Sequence, residues 1–252
     1  MEITVVGSGT VVPHIGRRQS CVVVEAGGET LVFDLGSGAV RGIVRVGLDP
    51  FAVDRIFFTH FHPDHTVDVV NLLFAIKYGA ERERTRPLHL AGPEPFRGFW
   101  GSVLAVWGDW MSGDYPTHVL ELPREGAAPL DLPGCMLSWA PTRHSPESIA
   151  FRLDGPDGAF VYTGDTEYSG MVVKLARGAH TLLIECTRPD DDPLPNHLTP
   201  SGAAQIAREA GVERVVLTHL QPAVDNELLP SRVREGYDGE VLVAKDGLRL
   251  RV

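Results

Sequence analysis

The sequence predicts an α/β fold in which two sheets pack face to face with helices on the outside. Three observations predict it. Short strands rich in Val, Thr and Phe dominate the first third of the chain. Strands and helices alternate through the last third. A strand run followed by β–α alternation occurs once in each half, and two such layers bury their apolar faces most simply against each other.

Glu2 to Val6, Cys21 to Glu25 and Thr30 to Asp34 read as strands. Ala26-Gly27-Gly28-Glu29 is a hairpin turn signal between the last two. Ser37 to Val46 reads as a short helix with Ser37 as its N-cap. Asp54 to Thr59 is nearly continuous in apolar residues, as a strand buried on both faces would be. Val69, Val70, Leu73, Phe74 and Ile76 give 66–78 helical periodicity, and Gly79 ends it.

Leu88 to Ala91 reads as a strand, and Pro95 to Trp107 as a helix. Strands recur near Thr117 to Leu122, Met136 to Ala140, Ser148 to Leu153 and Ala159 to Thr163, with a turn over 154–158. The final third runs helix from Tyr168, strand Thr181 to Ile184, helix Pro200 to Ala210, strand Arg214 to Thr218, helix Asn226 to Arg234, strand Glu240 to Ala244.

The length of 252 residues and hydrophobic fraction of 43% suit a single domain, 1–252, with a sizeable core. No apolar stretch reaches the ~20 residues of a membrane span, and the N-terminus lacks the pattern of a signal peptide. Three cysteines without paired spacing, Cys21, Cys135 and Cys186, favour reduced thiols. A cytoplasmic, membrane-free protein is therefore expected. A net charge of -10 argues against general affinity for polyanions. It leaves room for a small phosphate ester or one local RNA contact.

Histidines beside aspartates carry the chemistry. Thr59-His60-Phe61-His62-Pro63-Asp64-His65 lies where the buried strand ends and a helix begins. Residues two apart in extended chain point the same way, so His60 and His62 can chelate one metal ion. Pro63 turns the chain, and Asp64 and His65 then face a second position. His144, Asp165 and His219 each follow the end of a predicted strand, where open α/β sheets place their sites.

These seven residues together resemble the metallo-β-lactamase-fold hydrolases over nearly the whole chain. The resemblance implies a four-layer αββα sandwich of two mixed sheets with helices on the outer faces and metal at one edge. It implies two divalent ions, one held by His60, His62 and His144, the other by Asp64, His65 and His219. Asp165 and a water-derived hydroxide would bridge them, and Asp64 would also belong to the catalytic set. Imidazole and carboxylate donors suit zinc, and also manganese, iron or cobalt.

A narrower similarity, to ribonuclease Z, rests on Val6-Gly7-Ser8-Gly9-Thr10, Pro13, Arg17, Ser20 and Leu31 to Gly36. It continues in Glu185-Cys186-Thr187, His197-Leu198-Thr199 and Leu217-Thr218-His219. It implies that Glu185 and His197 pair, with His197 serving the leaving group. It also implies a phosphodiesterase acting on a small phosphodiester or an RNA 3′ end, and a possible homodimer. The chain departs from the longer ribonuclease Z type between His144 and Asp165. The intervening residues are filled by a hairpin, so no extended nucleic-acid-binding arm is expected. Asp190-Asp191-Asp192 reads as a solvated loop face.

Two other functions use the same residues: a lactonase or thioesterase, and a non-hydrolytic metal-binding or di-iron redox protein. Asp34 reads either as a residue that orients a ligand histidine or as a turn Asp before Gly36. Trp100 and Trp107 read as core. Trp110 and Tyr115, in a Gly/Asp-rich stretch, are candidates for a lid.

Overall fold

The computed structural model describes residues 1–79 and 83–252. Strands β1 (Glu2–Gly7), β2 (Cys21–Ala26), β3 (Glu29–Phe33), β4 (Arg55–Phe57), β5 (Leu88–Pro93) and β6 (Thr117–Leu122) form one sheet with β14 (Leu248–Arg251). Its order is β14-β1-β2-β3-β4-β5-β6. The second sheet holds β7 (Leu130–Leu132), β8 (Cys135–Pro141), β9 (Ile149–Gly155), β10 (Gly158–Tyr162), β11 (Thr181–Glu185), β12 (Arg214–Thr218) and β13 (Glu240–Val243). Its order is β13-β12-β11-β10-β9-β8-β7. Each sheet is antiparallel over one half and parallel over the other. The change of sense falls at β3 in the first sheet and β10 in the second.

Strand side chains alternate between two cores, as the two-residue repeat of a pleated strand requires. Ile3, Val22, Leu31, Phe33 and Phe57 face Phe151, Phe160, Leu183 and Val216 between the sheets. Val23, Val32 and Ile56 point the other way, against α1 (Ala39–Arg45), α3 (Asp68–Gly79) and α4 (Phe96–Met111). Leu182, Ile184, Val215 and Leu217 pack beneath α5 (Gly170–Ala176), α6 (Pro200–Ala210) and α7 (Leu229–Arg234). The layers are therefore αββα, as expected. β11 is buried along its whole length, which explains why its sequence shows no polar alternation.

Several expectations need correction. Ser37 does not cap α1. That helix starts after Gly38 at φ 85°, with no side-chain cap, while the Ser37 N–H donates to Gln19 Oε1. The last helix starts at Leu229 rather than Asn226. The Asn226 side chain accepts from the Leu228 N–H and holds a turn there. β7, a 3-10 turn at Pro50–Ala52 and β14 escaped the sequence reading. β14 pairs antiparallel with β1, placing Leu250 opposite Ile3.

The aromatics divide differently from expectation. Trp100 is buried. Trp107 is not core: it is 47% exposed on α4, and Trp110 is 55% exposed. Both line a groove with Val67, Val70 and Phe74. Tyr115 is buried, with the Arg84 guanidinium over its ring, which leaves it no lid role. The three cysteines are buried free thiols. Among the described residues no helix is long and apolar enough to cross a membrane.

Candidate metal centre

All seven predicted residues meet at one edge of the sandwich. His60 follows β4, and His62 precedes α2 (Pro63–Thr66), which carries Asp64 and His65. His144 follows β8, Asp165 follows β10 and His219 follows β12. The loops come together because strands of both sheets end at this edge. Gly164, at φ 55°, packs so closely on Thr59 that a Cβ would lie 2.7 Å from the Thr59 side chain.

Ligand-type atoms gather in two sets, and Asp165, His197 and His219 make a third that overlaps them. The ring nitrogens of His60 (Nε2) and His144 (Nε2) lie 3.1 and 3.0 Å from His62 Nδ1. Asp64, His65 and His219 form the other set. Asp165 stands between them. Its Oδ2 is 3.9 Å from His60 Nε2 and 3.7 Å from His144 Nε2. Its Oδ1 is 3.3 Å from His65 Nε2 and 3.4 Å from His219 Nε2. One carboxylate thus turns one oxygen to each set.

His65 Nε2, Asp165 Oδ1 and His219 Nε2 are buried and find no hydrogen-bond partner among the described residues. Buried polar atoms are almost always paired, since an unpaired one costs about 1–3 kcal/mol. Three such atoms aimed at one another fit a cluster built to surround a positive ion. Imidazole nitrogens and carboxylate oxygens are the donors a divalent transition metal or zinc takes.

Four of the five rings, those of His60, His65, His144 and His219, are also held from behind. His65 Nδ1 lies 2.7 Å from Asp34 Oδ2. His60 Nδ1 lies 3.0 Å from Thr59 Oγ1, which donates to Asp34 Oδ2 at 2.9 Å. His144 Nδ1 faces the Asn196 carbonyl at 3.0 Å, and His219 Nδ1 faces Thr187 Oγ1 at 3.0 Å. Such partners fix which nitrogen carries the proton and which stays free for a metal. Asp34 is therefore the orienting residue of the two readings the sequence allowed. It also accepts from the Thr59 N–H at 2.8 Å and the Tyr162 hydroxyl at 2.9 Å. Among the described residues, Asp34, Asn196 and His219 are the non-glycine residues with positive φ, at 59°, 64° and 54°. Strained backbone of this kind concentrates at functional sites.

Charge follows geometry. Burial alone would raise the Asp165 carboxyl, but the surrounding His219, His65 and His60 rings hold it well below the usual carboxylate range. Burial and the neighbouring rings push His60 well below an ordinary histidine. Burial also lowers His144. For His65, burial is outweighed by Asp165 and Asp34, which raise it well above normal.

Glu185 and His197 meet as well. His197 Nδ1 is 3.0 Å from Glu185 Oε1 and 3.2 Å from Oε2. Burial opposes a charged ring there, yet the hydrogen bond and charge of Glu185 leave His197 raised. The Glu185 carboxylate is buried and also accepts from the Thr166 N–H at 2.6 Å and the Leu198 N–H at 3.0 Å. The His197 ring stacks on His219 at 5.7 Å, so it borders the cluster. Asp190, Asp191 and Asp192 are exposed, as expected of a solvated loop face. Asp190 accepts from the Ser201 N–H at 3.1 Å, and Asp192 pairs with Arg188.

The sequence reading missed Thr59, Tyr162, Thr187 and the Asn196 carbonyl. Two of the four carry a signal in hindsight: Thr59 adjoins His60, and Thr187 lies two residues beyond Glu185.

The Beta-lactamase superfamily domain model matches residues 40–220. The chain belongs to the metallo-β-lactamase superfamily. Among curated members, the ribonuclease Z of Myxococcus xanthus is 30% identical, with 100% of this chain and 98% of the relative aligned. Among solved structures, the metallo-β-lactamase fold protein YhfI from Bacillus subtilis superposes with a TM-score of 0.85 at 24% identity, over 99% of this chain and 98% of that one. The short form of human tRNase Z superposes with a TM-score of 0.81 at 23% identity, over 100% and 99%. These superpositions establish the metallo-β-lactamase fold. The chain is thus a metallo-β-lactamase-fold protein related to ribonuclease Z, with a His/Asp cluster that fits a metal site.

Proposed function

We propose that the chain is a dinuclear metal-dependent phosphodiesterase of ribonuclease Z-like type, acting on a small phosphodiester or an RNA 3′ end. The observation that carries this reading is the Glu185–His197 pair at the border of the cluster. Hydrolysis of a phosphodiester expels an alkoxide, which needs a proton, and a histidine held by a buried carboxylate supplies one. The sequence similarity to ribonuclease Z supports the same reading.

His60, His62 and His144 would hold one ion, and Asp64, His65 and His219 the other, with Asp165 facing both. The donor set favours zinc, with manganese or iron as alternatives. When bound, such ions supply acidification of a water and positive charge against the phosphoryl oxygens.

The chain's own groups do the rest. Asp34 and Thr59 keep Nδ1 of His65 and His60 engaged, so Nε2 of each ring stays directed at the cluster. Glu185 binds His197 through Nδ1 and leaves Nε2–H as the proton available to the leaving oxygen. Burial of Asp34, His60, His65 and Asp165 keeps bulk water from weakening these interactions.

Charge and the β9–β10 hairpin limit the size of the substrate. Gly155 and Gly158 pair across the turn, so the residues between His144 and Asp165 are used within the sheet. With exposed Asp190, Asp191 and Asp192 in the same loop as His197, a small diester or a short RNA end is favoured over a long polyanion.

The deciding experiment assays purified protein of measured metal content on an activated phosphodiester, a lactone and a tRNA precursor. Phosphodiester turnover that collapses in His197→Ala is expected. Lactone cleavage far exceeding phosphodiester cleavage would instead support a carboxylic-ester hydrolase. Full phosphodiester turnover in His197→Ala would remove the leaving-group role.

A further inference from the structure

The Thr187 hydroxyl has more neighbours than one hydroxyl can serve as a donor. Glu185 Oε2 is 2.6 Å away, the His219 carbonyl 3.1 Å, His219 Nδ1 3.0 Å and His197 Nδ1 3.4 Å. A threonine hydroxyl has one proton and two lone pairs. Glu185 and the His219 carbonyl only accept, so the single proton goes to one of them. The short 2.6 Å contact to the buried carboxylate takes it. The lone pairs are then left to accept, and His219 Nδ1 is the nearer nitrogen. His219 must therefore carry its proton on Nδ1. Its other nitrogen, Nε2, is the buried atom without a protein partner that faces Asp165 and Asp64.

We infer that Thr187 is a positioning residue that fixes the proton of His219 on Nδ1 and thereby keeps Nε2 free to bind a metal ion. The same hydroxyl ties His219 to Glu185, the carboxylate that holds His197. Metal position and leaving-group acid thus share one anchor. An independent parallel lies on the other sheet. Thr59 donates to Asp34 Oδ2 at 2.9 Å and faces His60 Nδ1 at 3.0 Å. A carboxylate–threonine–histidine chain therefore stands behind each set of ligands.

The substitution that isolates the hydroxyl is Thr187→Val, which keeps the side chain's size. Glu185 retains the N–H groups of Thr166 and Leu198, so its own position is secured without Thr187. The His219 Nδ1–H instead loses its acceptor, and the ring is free to move its proton to Nε2, where the proton competes with a cation. Loss of such a supporting partner weakens metal binding by about 10–100-fold.

The inference rests on the metal reading above, and the test separates the two. Wild type, Thr187→Val and Thr187→Ser are stripped, refilled with zinc and titrated with a competing chelator, while ring-nitrogen NMR on the metal-free proteins reports the His219 tautomer. The wild type should retain two equivalents and show Nδ1–H. Thr187→Val should release one of the two equivalents about 10–100-fold more readily and show mixed tautomers. Thr187→Ser should restore both properties. If Thr187→Val does not unfold cooperatively without metal, Thr187→Ala removes the same hydroxyl with less bulk and takes its place. Wild-type affinity for both equivalents in the hydroxyl-free variant, or an undisturbed Nδ1–H tautomer, would overturn the role of Thr187. A wild type that retains no zinc would instead sink the dinuclear reading, and the tautomer would still decide the role of Thr187.

Discussion

Replacing Asp34 by Asn should weaken both the fold and the metal site, and the structure sets the size of the effect. Asp34 Oδ2 accepts from Thr59 Oγ1, His65 Nδ1 and the Tyr162 hydroxyl, while Oδ1 accepts from the Thr59 N–H. An amide has one oxygen for these two positions. Turned to satisfy the crowded side, its NH2 meets the Thr59 N–H, and a buried backbone donor goes unpaired at about 1–3 kcal/mol. The remaining bonds lose their charge assistance, about 1 kcal/mol each. Relief from burying a charge offsets part of this. A net destabilisation of about 2–4 kcal/mol is expected. Backbone strain does not confuse the comparison, because Asn tolerates the left-handed φ of 59° at this position. Zinc affinity should fall about 10–100-fold, because the acceptor behind His65 Nδ1 loses its charge and holds that proton less firmly. Urea unfolding of metal-free and zinc-loaded protein, with a chelator titration, measures both quantities. Unchanged zinc affinity together with a stability loss under about 0.5 kcal/mol, no more than an ordinary surface change, would refute the reasoning.

Four further outcomes are expected. His197→Ala should lower phosphodiester kcat by about 10²–10⁴-fold, the range of one general acid. In the wild type, turnover should fall as pH rises through the raised pKa of His197, and Glu185→Gln should move that limb to lower pH; identical pH–rate profiles in the two proteins would contradict the pairing. Gly36→Ala would place a Cβ 2.0 Å from the Asp64 carbonyl oxygen, so the chain carrying Asp64 must move. A loss of about 1–3 kcal/mol in thermal unfolding and weaker zinc retention are expected, and an unchanged melting temperature would show the contact to be softer than drawn. The hydrogen bond from Arg17, at 2.6 Å, holds Asp225 below its usual range. A depressed carboxylate contributes stability above its unfolded pKa of about 3.9 and loses it as pH falls through the folded value. The stability gap between wild type and Asp225→Asn should therefore narrow below about pH 4, and a gap independent of pH would rule out the ionised pair.

The strands and helices that were legible in advance are those whose local pattern and final burial agree. α6 runs from Pro200 to Ala210 as the sequence reads, because its buried Ala203, Ile206, Ala207 and Ala210 sit at helical spacing and Gly211 stops it. The hairpin at Ala26–Glu29 pairs as its two glycines announce. β14 was not legible, since four residues at a chain end gain meaning only from the partner strand at the other end. Trp107 misled because helical spacing says which residues share a face, and not whether another element covers that face. α4 buries Phe96, Trp100 and Met111 and leaves Trp107 outside.

The ligand-type residues were visible in the sequence because few other uses call for three imidazoles and a carboxylate within six positions, followed by His or Asp at strand ends. Their supporting partners were not, because Thr59, Tyr162, Thr187 and the Asn196 carbonyl are ordinary groups that gain a role only by position. By itself the sequence determined which atoms this protein could offer a cation and the layers that would carry them. The tertiary structure alone decided that Asp34 and Glu185 would each reach a second histidine through a threonine. Hydrogen bonds act over about 3 Å, and that proximity is created by packing two sheets whose strands are far apart along the chain.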